Sequence, residues 1–201
     1  KHSVAWLMGR PLYFVLLQDR GGLIVADNGV LVRCKGRDVG DALVTTRAER
    51  SRGLPTQPAV ITAAAQGAAY DGEVMTSYYR NDITGLPEMG VVGGKLWGDS
   101  GLKPADISTA FLYDHFTPFV FTQLEELGFC GRGEAKDFVS VEEFSLGGRM
   151  PINTNGGLLG EAYIHGMNGI TEGVRQVRGT SYNQVDNVEH VLVTSGTRTS
   201  A

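Results

Sequence analysis

Along the chain, apolar residues fall into short runs of strand length, separated by glycine, proline and Asn/Asp turns. Leu12 to Leu17 and Leu23 to Val32 read as strands, with Asp27-Asn28-Gly29 as a turn inside the second. Ala42 to Thr45 reads as a short strand, and Thr46 to Arg52 as a short helical turn. After Pro55 and Pro58, Ala59 to Ala65 is a further strand; Ile107 to Tyr113 and Val188 to Thr194 complete the set, a Ser195-Gly196-Thr197 turn following the last. Two stretches carry a helical period. Val120, Leu124 and Leu127 follow Thr117 as a cap and Pro118 at the first helical position, and Gly128 stops the run. Met167, Ile170, Val174 and Val177 lie three, four and three apart and end at Gly179, with Glu172, Arg175 and Gln176 on the opposite face. The segment from Gly85 to Pro104 holds six glycines and two prolines, which leaves room for a short helix around Val91, Val92, Lys95 and Leu96 before a turn at Gly101–Asp106. Strands alternating with helices predict an α/β fold.

Composition narrows the field. The 201 residues suit one domain with a core of its own. Glycine, at 28 residues, is about twice its ~7% average, and it comes in pairs without a collagen period, which excludes collagen and coiled coil alike. A net charge of -4 with no basic run argues against nucleic acid as a partner. Cys34 and Cys130 stand in neither a metal-binding nor a disulfide-framework spacing, so no metal is expected and a reducing cytoplasmic compartment is. Val4 to Leu17 contains Arg10 and Pro11 and falls short of the ~20 apolar residues a membrane-spanning helix needs. The chain opens at Lys1 rather than methionine, which suits a piece of a longer protein.

Two constellations carry chemistry. Tyr113-Asp114-His115-Phe116-Thr117-Pro118 sets three polar side chains between a strand end and a helix N-terminus, a place where ligands bind and negative charge is favoured. The same spacing also suits a buried tyrosine with a satisfied hydroxyl and a capping aspartate. Tyr163-Ile164-His165-Gly166-Met167-Asn168-Gly169 follows the Asn155-Gly156-Gly157 loop; such glycines bring backbone N–H groups close to a ligand, or simply turn the chain. Cys130, after Gly128-Phe129 at a helix C-terminus, reads as a structural thiol, since the dipole there disfavours a thiolate.

These motifs, in order, resemble the C-terminal domain of thiolases of the sterol-carrier-protein-x kind. The resemblance is carried by Gly101 to Asp106, Tyr113 to Pro118, Gln123-Leu124-Glu125-Glu126-Leu127-Gly128-Phe129-Cys130-Gly131, Pro151-Ile152-Asn153-Thr154-Asn155-Gly156-Gly157, the glycine-rich segment to Gly169, and Gln176-Val177-Arg178-Gly179. It covers residues 39–201, while residues 1–38 align poorly with the family. It implies a mixed sheet with helices on its faces, half of the layered thiolase fold, and so a chain that is one half of an enzyme, itself a homodimer.

Two departures sharpen the resemblance. Where thiolases carry a catalytic histidine or asparagine, this chain has Tyr113 in Tyr-Asp-His-Phe; where they carry the histidine of Gly-His-Pro, it has Tyr163 in Ala-Tyr-Ile. Their C-terminal catalytic cysteine is also missing from Val193-Thr194-Ser195-Gly196-Thr197. The pattern is similar to the thiolase-like lipid-transfer proteins that act as aldolases on steroid side chains. That group implies retro-aldol cleavage of a β-hydroxy acyl-CoA to a 17-keto steroid and propionyl-CoA, with Tyr113 and Tyr163 as the acid/base pair. It also implies an acyl-CoA-binding partner of the DUF35 type, built on an OB fold, and no cofactor beyond the coenzyme A of the substrate. The chemistry is consistent: thioester exchange needs thiolate nucleophiles, whereas retro-aldol cleavage needs a base and an acid. A phenol with a pKa near 10 must be activated by its surroundings; Asp114, His115 and His165 are the supporting groups. The Asn155-Gly156-Gly157 loop is expected to hold the enolate oxygen. The competing expectations are a thioester-exchanging thiolase and an inactive fragment that binds acyl-CoA or a partner chain.

Overall fold

The computed structural model describes the backbone of strands at residues 13–18, 23–26, 32–33, 39–40 and 44–46, and residues 55, 57–70, 80–161, 164 and 166–195 in full. The expected turn at Asp27-Asn28-Gly29, the helical turn beyond Thr46 and the turn at 196–197 lie outside the described residues. Eight strands are described: β1 (Tyr13–Gln18), β2 (Leu23–Ala26), β3 (Val32–Arg33), β4 (Val39–Gly40), β5 (Val44–Thr46), β6 (Ala59–Ala65), β7 (Thr109–Phe111) and β8 (His190–Ser195). Six form one mixed sheet in the order β5-β2-β6-β1-β8-β7, and β3 pairs with β4 in a separate ribbon.

Every pair in the large sheet is antiparallel except the last. Strands β7 and β8 run parallel, with Thr109 opposite Val191 and Phe111 opposite Val193. A parallel pair needs a long crossover, and the helices that follow β7 supply it. Because the two strands run parallel, they end on the same side of the sheet.

Period-two alternation assigns the faces. Ala110, Leu112 and Leu192 pack with Met89, Val92 and Leu96 of helix α1 (Pro87–Ser100) and with Leu124 of helix α2 (Thr117–Glu126). Phe111, Tyr113, Val191 and Val193 face the other way, onto Val174 and Val177 of a later helix at Met167–Arg178. The mixed sheet with helices on both faces is the architecture the sequence implied.

Two helices depart from the sequence expectation. α1 runs for 14 residues through glycines that suggested a much shorter helix; two of them are packing positions, since a Cβ at Gly93 would sit 3.1 Å from Leu127 and one at Gly90 would sit 2.7 Å from the Glu126 carboxylate. The same carboxylate accepts the Leu86 N–H at 3.1 Å, satisfying a donor ahead of the first turn. α2 is capped by the backbone of Phe116 rather than by Thr117, which is the first helical residue. The Phe119 N–H bonds the Phe116 carbonyl at 3.0 Å, closing the first turn one residue earlier.

Candidate functional site

Tyr113 leaves the end of β7 and is held there by a closed ring of hydrogen bonds. Its N–H donates to Thr194 Oγ1 at 2.8 Å, the Thr194 hydroxyl donates to Gln123 Oε1 at 2.6 Å, and Gln123 Nε2 donates to the Tyr113 carbonyl at 2.8 Å. Gln123 and Thr194 are fully buried, so these bonds act in a low dielectric and fix the backbone of Tyr113 against α2 and β8. The tyrosine itself is buried, packed among Leu158, Val174 and Val193.

Asp114 fastens a second loop to the first. Its Oδ1 accepts the Leu158 N–H at 3.0 Å, so it serves the short helical turn α5 (Gly157–Gly160, after α3 at Ala135–Phe138 and α4 at Val141–Phe144) and not α2. Asn153, at positive φ, pairs its carboxamide with both the N–H and the carbonyl of Leu112, at 2.8 and 3.0 Å. The Asn155 carboxamide accepts the Gly157 N–H at 3.1 Å and donates to Glu161 at 2.6 Å. The Gly156 N–H bonds the Asn153 carbonyl at 2.8 Å. In this conformation the donors of the glycine loop are engaged within the chain.

His115 stacks on Phe119, ring centroids 4.9 Å apart, and lies 4.9 Å from the Tyr113 ring. Burial pushes its pKa below the usual histidine value, opposed by the Asp114 charge and by a hydrogen bond with the Tyr113 backbone. The imidazole is thus held neutral at neutral pH, able to accept a proton.

The third wall is helix α6 (Met167–Arg178), capped by Gly166 at φ 90 and closed by Gly179 at φ 69. A side chain at Gly169 would collide with the Phe111 ring, and one at Gly166 with Ser195; these two glycines let the helix start directly on the ends of β7 and β8. The face of α6 opposite the apolar stripe is buried as well. Glu172 and Gln176 lie inside, bonded to Thr154, Ser181 and Asn183. Sequence reading gave Gln123, Asn153 and Thr194 no role of their own; for Thr194 the available signal was a polar residue closing an otherwise apolar run.

The structure therefore brings together Tyr113, Asp114, His115, Asn155, Gly156 and Gly157, around the C-terminal ends of the parallel strands, where α/β sheets bind ligands. Tyr163 and His165 lie outside the described residues. Cys130 packs on the opposite, α1/α2 face; its thiol is pushed up first by burial and then by Glu125 and Glu134. Among the described residues no cluster of three His, Cys, Asp or Glu side chains is placed to hold a metal ion, and no helix is long and apolar enough to cross a membrane.

Residues 68–200 match the family described as thiolase C-terminal domain-like. A steroid side-chain-cleaving aldolase of Thermomonospora curvata is 57% identical over 195 residues, 96% of this chain and 49% of that protein. A 17-hydroxy-3-oxo-4-pregnene-20-carboxyl-CoA lyase of Mycobacterium tuberculosis is 64% identical over 164 residues, 82% of this chain and 42% of that protein. Among solved structures, an Ltp2-ChsH2(DUF35) aldolase matches with a TM-score of 0.75 at 56% identity, over 82% of this chain and 46% of that one. The chain spans about half the length of the curated relatives it matches.

Proposed function

Since the chain belongs to the thiolase C-terminal domain-like family, we propose that it supplies the acid/base half of a C–C lyase that cleaves a β-hydroxy acyl-CoA by a retro-aldol reaction. The substrate is a 17-hydroxy steroid side-chain thioester, and the products are a 17-keto steroid and propionyl-CoA. The relatives named for such cleavage support this reading. The single observation that carries it is Tyr113, its backbone locked by Gln123 and Thr194 at the end of β7, with its ring beside a neutral imidazole.

One of Tyr113 and Tyr163, as phenolate, takes the proton of the β-hydroxyl. The carbinol becomes a carbonyl as the bond between the α- and β-carbons breaks, and its electron pair passes to the thioester as an enolate. The other tyrosine, as phenol, returns a proton to the α-carbon and releases propionyl-CoA. His115, held neutral, supports deprotonation of Tyr113; His165 does the same for Tyr163. Asp114 keeps the two loops in register through Leu158, and Asn155, Gly156 and Gly157 shape the wall against which the acyl group lies. The reaction uses no cofactor other than the substrate's coenzyme A. The enzyme works in the cytoplasm as a homodimer, with a DUF35-type OB-fold protein delivering the acyl-CoA, a partner suggested by the DUF35 aldolase complex it resembles.

The test is Tyr113→Phe and Tyr163→Phe in the complete gene product that carries this chain, prepared with its DUF35-type partner. Turnover of the steroid thioester should fall by about 10²- to 10⁴-fold in each, with far-UV circular dichroism unchanged. Turnover at the parental rate in either variant would overturn the assignment.

A further inference from the structure

Residues 151–153 run beside β7 as a short parallel edge. The Ala110 N–H donates to the Pro151 carbonyl at 3.2 Å and the Asn153 N–H donates to the Ala110 carbonyl at 2.9 Å, which makes a parallel bridge between Ala110 and Ile152. In a continuing ladder the next two rungs would fall on Leu112: its N–H would donate to the main-chain carbonyl of residue 153, and its carbonyl would accept the N–H of residue 155. Asn153 supplies both rungs from its side chain. Oδ1 accepts the Leu112 N–H at 2.8 Å, and Nδ2 donates to the Leu112 carbonyl at 3.0 Å. Its main-chain carbonyl accepts the Gly156 N–H at 2.8 Å instead, so the main chain turns into the glycine loop while the side chain carries the sheet edge on.

That substitution of side chain for backbone bears on Tyr113. The Leu112 carbonyl and the Tyr113 N–H belong to one trans peptide, in which they point in opposite directions. Asn153 Nδ2 holds the carbonyl end and Thr194 Oγ1, at 2.8 Å, holds the N–H end. The plane of the peptide is therefore fixed from both sides, and with it the direction in which the Tyr113 side chain leaves the backbone. Asparagine meets two demands here: a φ of 48, which it tolerates better than most residues, and a donor and an acceptor in one short planar group. The next residue is anchored from behind, where the Thr154 hydroxyl donates to the buried Glu172 at 2.5 Å and the Thr154 carbonyl accepts from Asn183 at 2.6 Å.

We propose that Asn153 is a positioning residue for the cleavage: its carboxamide fixes the Leu112–Tyr113 peptide opposite Thr194 and so aims the phenol of Tyr113, while its main-chain carbonyl keeps the glycine loop in step. It acts through Tyr113 and takes no part in proton transfer. The inference rests on the lyase reading above, in which Tyr113 is one of the acid/base pair.

The experiment compares Asn153→Gly and Asn153→Asp with the parental protein in the complete gene product, prepared with its DUF35-type partner and assayed below the onset of unfolding of every variant. Asn153→Gly adopts the left-handed backbone and lacks the carboxamide; its kcat should fall about 100-fold, as for a reacting group misplaced by about 1 Å, with KM little changed. Asn153→Asp keeps the acceptor for the Leu112 N–H but sets an oxygen against the Leu112 carbonyl, and its kcat should fall as well. Trp97→Phe is the stability control: it removes the indole N–H bond to the Leu127 carbonyl, 3.1 Å, on the α1/α2 side, and should lower the thermal midpoint with parental kcat. Parental kcat in either Asn153 variant would overturn the proposal, as would a loss in Trp97→Phe as large as in Asn153→Gly. If the parental protein itself cleaves nothing, the lyase reading has failed, and the tyrosine ring decides this inference. With tyrosine labelled with carbon-13 at Cζ, the signal absent from Tyr113→Phe should shift in Asn153→Gly and stay in place in Trp97→Phe; an unmoved signal in Asn153→Gly would overturn it.

Discussion

The carboxylate of Asp114 occupies the space that a side chain at Gly157 would need, and its other oxygen accepts the N–H of the next residue, Leu158. Gly157 is thus excluded from carrying a Cβ on two counts, this contact and a φ of 69. Both bear on where Asp114, and with it Tyr113 and His115, is placed.

Gly157→Ala should therefore destabilise the fold by about 2–4 kcal/mol, the sum of a left-handed alanine and an overpacked contact. Gly94→Ala is the matched control. It lies within α1, an added Cβ meets nothing within 4 Å, and the same chemical change should stabilise by about 0.4–1 kcal/mol. Urea denaturation of both variants checks the pair, and equal shifts would contradict the close packing of Gly157 on Asp114.

The ring joining Tyr113, Thr194 and Gln123 makes a second prediction. Thr194→Val keeps the shape but leaves the buried Tyr113 N–H and Gln123 Oε1 without their hydroxyl. The cost should be about 2–3 kcal/mol, with Thr194→Ser recovering most of it. A loss of the same size in Thr194→Ser would point to the methyl group and its packing instead.

What sequence made legible follows from range. Strands β6 and β8 and helix α6 are written in local periodicity, and their boundaries fall within a few residues of the apolar runs. α1 was obscured because two of its glycines, Gly90 and Gly93, serve contacts with Glu126 and Leu127, more than thirty residues away, and local propensity counts against them. At the site, Tyr113, Asp114 and His115 stood out as polar residues at a strand end. Thr194 and Gln123 did not, since their role exists only once β8 lies beside β7.

Cys130 bears on the choice between lyase and thioester-exchange chemistry. Its thiol is pushed above its ordinary value by burial and by Glu125 and Glu134, and it packs on the face of the sheet opposite Tyr113. Little thiolate forms at neutral pH, so iodoacetamide should label Cys130 much more slowly in the folded protein than in the unfolded one, as read by peptide mass spectrometry. Cys130→Ala should leave turnover near the parental value. Rapid labelling at pH 7 together with loss of turnover would favour a cysteine nucleophile.

His115 sets a pH dependence whose direction is fixed by its surroundings. Burial, the dominant cause, lowers its pKa below the ordinary 6.5, against the opposing pull of Asp114 and the Tyr113 backbone. Between the folded value and 6.5 the unfolded chain binds more protons at this residue than the folded one, so stability rises with pH across that window. The contribution is complete above 6.5 and is lost as the pH falls below it, because the imidazolium must then be formed against Phe119 and Tyr113 at the expense of its hydration. In His115→Gln, which cannot titrate, unfolding free energy measured in urea should fall less steeply from pH 7 to pH 5 than in the parental protein. Carboxylate titrations are common to both proteins and largely cancel in the comparison. Equal slopes would mean that His115 protonates as readily folded as unfolded. It would then be no neutral base beside Tyr113, and the support proposed for that phenol would have to come from another group.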